Sequence, residues 1–230
     1  MEPSPTPTSG LMTLERDGHL ALPGLLDTSA CAELTAACAA LPACAAGSRT
    51  LLSQPWCQQL VARLRAHPAL QGLLPPAHRA VQCTLFEKSG QRNWLVPLHQ
   101  DLSIPVAHRV AAAGLGPWSE KEGLLFVQPP AALLAELLAL RLHLDPCGVA
   151  DGPLQVLPGT HRSGVLSDAQ IAALPRALKP CPAAPGDGLL LRPLLLHASS
   201  KARGSSRRRV LHLLFGPAEL PLGLAWPLAA

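Results

Sequence analysis

Val96-Pro97-Leu98-His99-Gln100-Asp101-Leu102 carries an imidazole and a carboxylate two residues apart within a β-like run, Leu95 to Val106. On an extended backbone, residues i and i+2 project to the same side, so His99 and Asp101 can converge on one cation while Gln100 points away. Imidazole plus carboxylate is a borderline-hard donor pair. A second imidazole would complete a facial triad, which leaves positions open for a bidentate co-substrate and dioxygen on iron(II). His-x-Asp alone is common, so its meaning depends on what the rest of the chain brings to it.

The remaining histidines are the candidates for the third ligand. His197 stands out because it ends the apolar run Leu194-Leu195-Leu196, from which a buried strand would deliver it to a cavity. Eleven residues further on stands Arg208. A 2-oxoglutarate molecule chelating the metal leaves its far carboxylate several ångströms away, where a bidentate guanidinium is the best clamp. Strand parity chooses among Arg207, Arg208 and Arg209: Arg209 shares a face with Leu211, Leu213 and Phe215, whereas Arg208 shares the other with Val210 and His212. The competing reading makes all three arginines a solvated edge.

The same alternation marks Leu140 to Asp145. Leu140, Leu142 and Leu144 share one side, and Arg141, His143 and Asp145 share the other, which faces either water or a polar cavity. Lys88 and Asn93 flank the loop before His99; an exposed polar loop is the expected role, and the border of a substrate mouth is the alternative. His161, in the turn Pro158-Gly159-Thr160-His161, is expected to make a structural hydrogen bond rather than to bind metal. Gly152, Gly159 and Gly186 read as turn glycines.

Further short β-like segments, separated by Gly, Pro and Asp, occur at Ala80 to Glu87, Leu124 to Gln128, Leu154 to Leu157, Gly188 to Leu196 and Arg208 to Phe215. They predict a mainly β sandwich or jelly roll. Ala131 to Ala139 is Ala/Leu-rich and fits a helix between strands. Before the strands, Cys31, Leu34, Cys38 and Leu41 mark one face of a helix that starts near Asp27 and stops at Pro42. A second helix is predicted from Pro55 to the break before Pro68. Residues 1–10 have the composition of a disordered tail, which leaves 11–230 as one domain with an N-terminal helical support.

Composition narrows the function classes. Hydrophobic residues make up 48% of the 230, enough for a core, with no Tyr and three Phe. The longest apolar stretches are interrupted by Glu136, Arg141, Arg192 and Pro193, short of the ~20 residues of a spanning helix, so no membrane role is expected. The N-terminus lacks the basic and apolar regions of a signal peptide. Seven cysteines without a C-x-x-C pair fit reduced thiols and a cytoplasmic protein. A net charge of +4, with no aromatics interleaved in the basic segment Lys201 to Arg209, argues against nucleic-acid binding.

The segments Val96 to Leu102, Asp151-Gly152-Pro153-Leu154, Pro158-Gly159-Thr160-His161, Gly186-Asp187 and His197-Ala198-Ser199 to Phe215 resemble, in order, the successive motifs of the phytanoyl-CoA dioxygenase family. The resemblance runs from about Ala80 to Pro217, and the N-terminal third is similar to the helical entry of bacterial members. It implies a double-stranded β-helix, a cupin-like jelly roll, with iron(II) held by His99, Asp101 and His197. It also implies Arg208 as the anchor of the distal 2-oxoglutarate carboxylate, Ser199 as its hydroxyl helper, and Thr84 and Arg141 as further co-substrate contacts. The implied chemistry is oxidative decarboxylation of 2-oxoglutarate to succinate and carbon dioxide, coupled through dioxygen to hydroxylation of a small organic or acyl substrate. Related halogenases lack the carboxylate, so Asp101 favours oxygen insertion. Two other classes compete: a non-catalytic jelly roll that senses 2-oxoglutarate, and a metal-dependent hydrolase or isomerase, which would not need Arg208. The sequence does not fix the oligomeric state.

Overall fold

Helix α1 (Pro7–Asp17) opens the part of the chain that the structure, a computed structural model, describes: residues 7–41, 48–203 and 207–227. Residues 7–10, expected in a disordered tail, are therefore helical, and 1–6 lie outside the described residues. Proline at a first helical position loses no hydrogen bond. Gly10 is buried, a Cβ on it would lie 3.1 Å from Leu20, and Leu14 is fully buried, so packing holds a segment whose composition alone reads as loose.

Strand β1 (His19–Leu22) follows, then helix α2 (Thr28–Ala39), capped by the Asp27 carboxylate, which accepts from the Ala30 N–H at 2.8 Å. Its buried face includes Cys31, Leu34 and Cys38, as the spacing predicts. Helix α3 (Pro55–Ala66) starts at the proline and buries Cys57, Leu60, Val61 and Leu64. The strands and later helices then run β2 (His78–Lys88), β3 (Val96–His99), β4 (Ile104–Val106), β5 (Trp118–Lys121), β6 (Leu124–Val127), α4 (Ala131–Glu136), β7 (Leu138–His143), β8 (Leu154–Val156), α5 (Asp168–Ala173), β9 (Lys179–Cys181), β10 (Gly188–Leu191), β11 (His197–Ser199) and β12 (Arg208–Pro217).

A five-stranded sheet, β1-β10-β7-β12-β2, and a four-stranded sheet, β3-β11-β8-β9, form the expected double-stranded β-helix; β4-β6-β5 adds a third small sheet. Every pairing between these strands is antiparallel. One hydrophobic cluster joins Leu138, Leu140, Leu142, Leu211, Leu213 and Phe215 to the N-terminal helices. The other joins Ala139, Leu189, Leu191 and Leu214 to Leu154, Val156 and Leu195 between the sheets. The large sheet is thus buried on both faces, which is why β7 carries no exposed residue.

Several boundaries differ from expectation for local reasons. The predicted strand Leu95 to Val106 breaks into β3 and β4 because Asp101 N–H leaves the ladder and donates to the Pro193 carbonyl at 2.9 Å. Gly188 to Leu196 breaks at Pro193, where Leu195 N–H bonds the Arg192 carbonyl; this turn carries the chain from one sheet to the other. Ala131 to Ala139 is helical only to Glu136. Strands β1, β5 and β9 have no sequence signal strong enough to announce them: β5 is polar, and β9 is an edge strand containing Pro180. Gly152, Gly159 and Gly186 all sit at positive φ, from 66° to 88°. Among the described residues, the cysteines other than Cys44, which lies outside them, are free thiols, and no helix is long and apolar enough to cross a membrane.

Candidate metal centre

Antiparallel pairing of β3 with β11 sets His99 directly opposite His197. Their rings lie 4.3 Å apart between centroids, and Asp101, two residues beyond His99, reaches both: its carboxylate oxygens are 3.6 Å from each Nε2. One ligand atom from each of the three lies within 4.8 Å of the others. At 3.6 Å none of these contacts is a hydrogen bond, so three ligand atoms face a common point without satisfying one another. One ion at ~2.0–2.2 Å from each, the usual length for imidazole and carboxylate ligands, would satisfy all three after small side-chain adjustments.

The opposite ring nitrogens are fixed. His99 Nδ1 lies 2.8 Å from the Pro97 carbonyl and His197 Nδ1 lies 2.9 Å from the Leu195 carbonyl, each two residues earlier in the chain. A carbonyl can only accept, so each Nδ1 carries the proton and each Nε2 presents a lone pair. Gln100, pointing away as strand geometry requires, is buried and locks the segment in place. It donates to the carbonyls of Gly164 at 2.8 Å and Leu194 at 2.7 Å, and accepts from Leu166 N–H at 2.8 Å. This role has no sequence signal beyond the position between two candidate ligands.

Burial opposes the Asp101 charge, yet the imidazoles of His197 and His99 hold its carboxyl well below the usual carboxylate range. Burial also opposes charge on His99, but Asp101 raises its pKa, while in His197 burial wins and lowers it. The carboxylate is therefore ionised and the deeper imidazole neutral at neutral pH, the protonation states that a cation requires.

Beside the triad lies a cavity of about 420 Å³ that also reaches Thr84, Lys88, Arg141, Ser199, Arg208 and His212. Of the predicted polar face of β7, Arg141 lines this cavity and His143 is buried, so neither faces water. Arg141 and His212 are partners across β7 and β12, and His212 and Thr84 are partners across β12 and β2. Arg141 Nη1 comes within 3.4 Å of His212 Nδ1, while its buried Nε has no partner among the described residues. Burial and Arg208 together push the Arg141 pKa down to about 10, which leaves it charged. Asp145 departs from the predicted face: β7 ends at His143, and the Asp145 carboxylate turns to accept from Arg209 Nε at 2.8 Å and Nη2 at 2.6 Å.

Arg208 is buried, with Nη1 donating to the Gly152 carbonyl and lying 3.7 Å from Cys147 Sγ. Gly152 is needed there, because a Cβ would meet the Ser200 carbonyl oxygen at 2.4 Å. Arg207, by contrast, is exposed and paired with Glu87, so the three arginines do not share a solvated edge. Lys88 also departs from expectation. It is 2% exposed, not part of an open loop, and its Nζ donates to Ser199 Oγ and to the Ser200 carbonyl, both at 3.0 Å. The predicted strand stops one residue short of Lys88, and the parity of Thr84 and Phe86 extended by one step places it on the cavity face. Asn93 braces two loops by exchanging hydrogen bonds with the backbone of Ala202, both at 2.8 Å. His161 Nε2 lies 3.1 Å from the Glu15 carbonyl and, since a carbonyl only accepts, carries the proton of the structural hydrogen bond expected there.

His143 lies on the Arg141 face of β7, 1% exposed, and neither ring nitrogen has a hydrogen-bond partner among the described residues. Burial first, then Arg141 and Arg208, pushes its pKa down to about 3. The unfolded chain, with an ordinary histidine near 6.5, binds the extra proton that the folded chain refuses, so stability falls as pH drops from about 6.5 toward 3. Near pH 5 this single group is expected to lower stability by about 1.4 kcal/mol per pH unit. Urea midpoints measured from pH 7 to pH 5 should show a shallower decline in His143→Gln than in the parent chain, and parallel slopes would disprove the assignment.

A protein-family model described as Phytanoyl-CoA dioxygenase (PhyH) matches residues 14–210. No curated protein sequence matches the chain. Among solved structures, the chain is similar to the non-heme alpha ketoglutarate dependent epimerase SnoN from nogalamycin biosynthesis, at 19% identity and TM-score 0.65, over 96% of this chain and 92% of that one. HygX from Streptomyces hygroscopicus, with nickel and 2-oxoglutarate bound, is similar at 15% identity and TM-score 0.63, over 90% and 85% of the two chains. The carbocyclase SnoK from nogalamycin biosynthesis is similar at 13% identity and TM-score 0.66, over 95% and 88%. At these identities the likeness establishes a shared fold.

Proposed function

The chain belongs to the phytanoyl-CoA dioxygenase family, and from that premise we propose that it uses iron(II), 2-oxoglutarate and dioxygen to hydroxylate a small organic or acyl substrate, releasing succinate and carbon dioxide. The observation that carries this reading is the convergence of His99, Asp101 and His197 beside a cavity lined by the buried cations Lys88, Arg141 and Arg208. HygX is described with iron bound as well as with nickel and 2-oxoglutarate, which supports the same pair of ligands here. A sensing role is not favoured by any feature of the cavity.

In this proposal His99, Asp101 and His197 hold the metal, which supplies activation of dioxygen when a keto acid is chelated. The two imidazoles enter as neutral Nε2 donors because Pro97 and Leu195 retain the Nδ1 protons. Arg208 takes the distal carboxylate of 2-oxoglutarate, Ser199 assists it, and Thr84 and Arg141 make further contacts with the co-substrate. Phe86, Ile104, Phe126 and Leu134 are among the apolar residues of the lining, which exclude water from the C–H bond to be attacked. Because an epimerase and a carbocyclase share this fold, hydroxylation is the part of the proposal that product analysis must decide.

Anaerobic addition of iron(II) and then 2-oxoglutarate is expected to give the visible charge-transfer band of a chelated keto acid, with succinate appearing when oxygen is admitted. Folded protein that gives no band would defeat the proposal. A metabolite screen read by succinate release, with mass analysis for a gain of one oxygen atom, identifies the substrate.

A further inference from the structure

We propose that Gln82 recognises the substrate by hydrogen-bonding a hydroxyl or amide N–H carried on an otherwise apolar body, an inference that rests on the reading of the site given above. Every second residue of β2 from Gln82 to Lys88 lines the cavity, a row about 20 Å long. Pairing with β12 sets Lys88 opposite Arg208, Thr84 opposite His212 and Gln82 opposite Leu214. His212 is near enough to Asp101 to lower its pKa, so the metal ligands stand closest to the middle of this row. With the co-substrate reaching from there toward Arg208, the Gln82 end is left for the molecule to be oxidised.

The lining at that end is apolar apart from one carboxamide. Leu214 belongs to a buried hydrophobic cluster with Ile104, Leu134 and Leu137, and all four line the cavity. Of the cavity's cations outside the co-substrate end, Arg49 is paired with Glu122 and Lys121 is exposed, over the Phe126 ring. Gln82 is half-buried. Its Nε2 donates to Thr84 Oγ1 at 2.9 Å, which fixes the plane of the amide, and the side chain makes no other hydrogen bond among the described residues. The amide oxygen and the second N–H are thus left open to the cavity, where a polar group shut away from water costs free energy until something bonds it. An O–H or N–H on the ligand supplies the donor that this oxygen needs, and the oxygen of a hydroxyl or amide accepts from the remaining N–H. An ionised group is a poor fit, because a neutral amide does little to offset its desolvation. In an apolar pocket a few placed polar groups set the orientation of the ligand, so this contact decides which C–H faces the metal.

Two matched pairs of probes test the assignment: δ-valerolactam against its N-methyl derivative, and cyclohexanol against cyclohexyl methyl ether. Each pair differs in a single N–H or O–H. All four are titrated anaerobically into parent protein and Gln82→Met, both loaded with iron(II) and 2-oxoglutarate, with binding read by ligand-observed NMR and folding by thermal unfolding. The parent is expected to prefer the donor-bearing member of each pair by roughly 3- to 10-fold, the worth of one neutral hydrogen bond, and Gln82→Met to erase both preferences. Should that variant fail to fold, Gln82→Leu is expected to give the same result. No preference in the parent, or one that survives in the folded variant, would show that Gln82 merely braces Thr84, and the proposal falls while the metal and co-substrate reading stands. That reading fails separately if the parent gives no charge-transfer band with 2-oxoglutarate.

Discussion

His197→Ala is expected to remove the metal. The substitution deletes the most buried of the three donors and leaves His99 and Asp101 on one half-exposed segment. Partners outside the coordination sphere of a metal are commonly worth 10- to 100-fold in affinity or activity, so deleting a direct ligand is expected to cut iron(II) affinity by more than about 100-fold. Succinate formation should fall to background with it. Equilibrium dialysis with iron(II) under anaerobic conditions measures the first effect and oxygen-dependent succinate release the second. Retention of one iron per chain at parent affinity would show that the ion sits elsewhere. His161→Ala is the control, because that ring is committed to the Glu15 carbonyl and stands outside the triad.

The second large effect is expected at Arg208. With Arg208 as the proposed anchor, truncation to Ala would leave the co-substrate carboxylate in a buried place without its guanidinium, and losing one partner of such a pair costs roughly 2–5 kcal/mol. Titration of 2-oxoglutarate into iron-loaded Arg208→Ala should show that weakening, with the metal affinity itself unchanged because Arg208 contacts none of the three ligands. An unchanged 2-oxoglutarate affinity would assign the anchor to another of the cavity cations. Arg209→Ala separates anchoring from structure, since Arg209 faces the helical side, bonded to Asp145, and its loss is expected to lower stability without altering co-substrate binding.

Residues whose position follows from a two-residue period are legible in the sequence itself. His99 and Asp101 share a side because strands alternate, and Arg208 differs from Arg209 for the same reason. The order of motifs carries the jelly roll and points to His197. Other features depend on contacts between distant segments, which no local pattern encodes. Lys88 reads as loop because the strand containing it ends in polar residues, although the cavity face simply continues. Asp145 fits the alternation of its neighbours but lies beyond the last ladder bond of β7, where Arg209 captures it. Residues 7–10 have a loose composition, and it is Leu20 and Leu73 closing over Gly10 that holds them. The short edge strands β5 and β9 are held by their neighbours' hydrogen bonds, not by their own composition.

The strand that supplies His99 is a poorly fastened one. It has four residues, one of them a proline without an amide proton, and it lies on the rim of its sheet with a shifted register against β11. A cation shared by the last residue of that strand and the first residue of its neighbour would act as a rivet across this seam. Occupancy of the centre and protection of that rim from local opening are then the same equilibrium viewed from two ends.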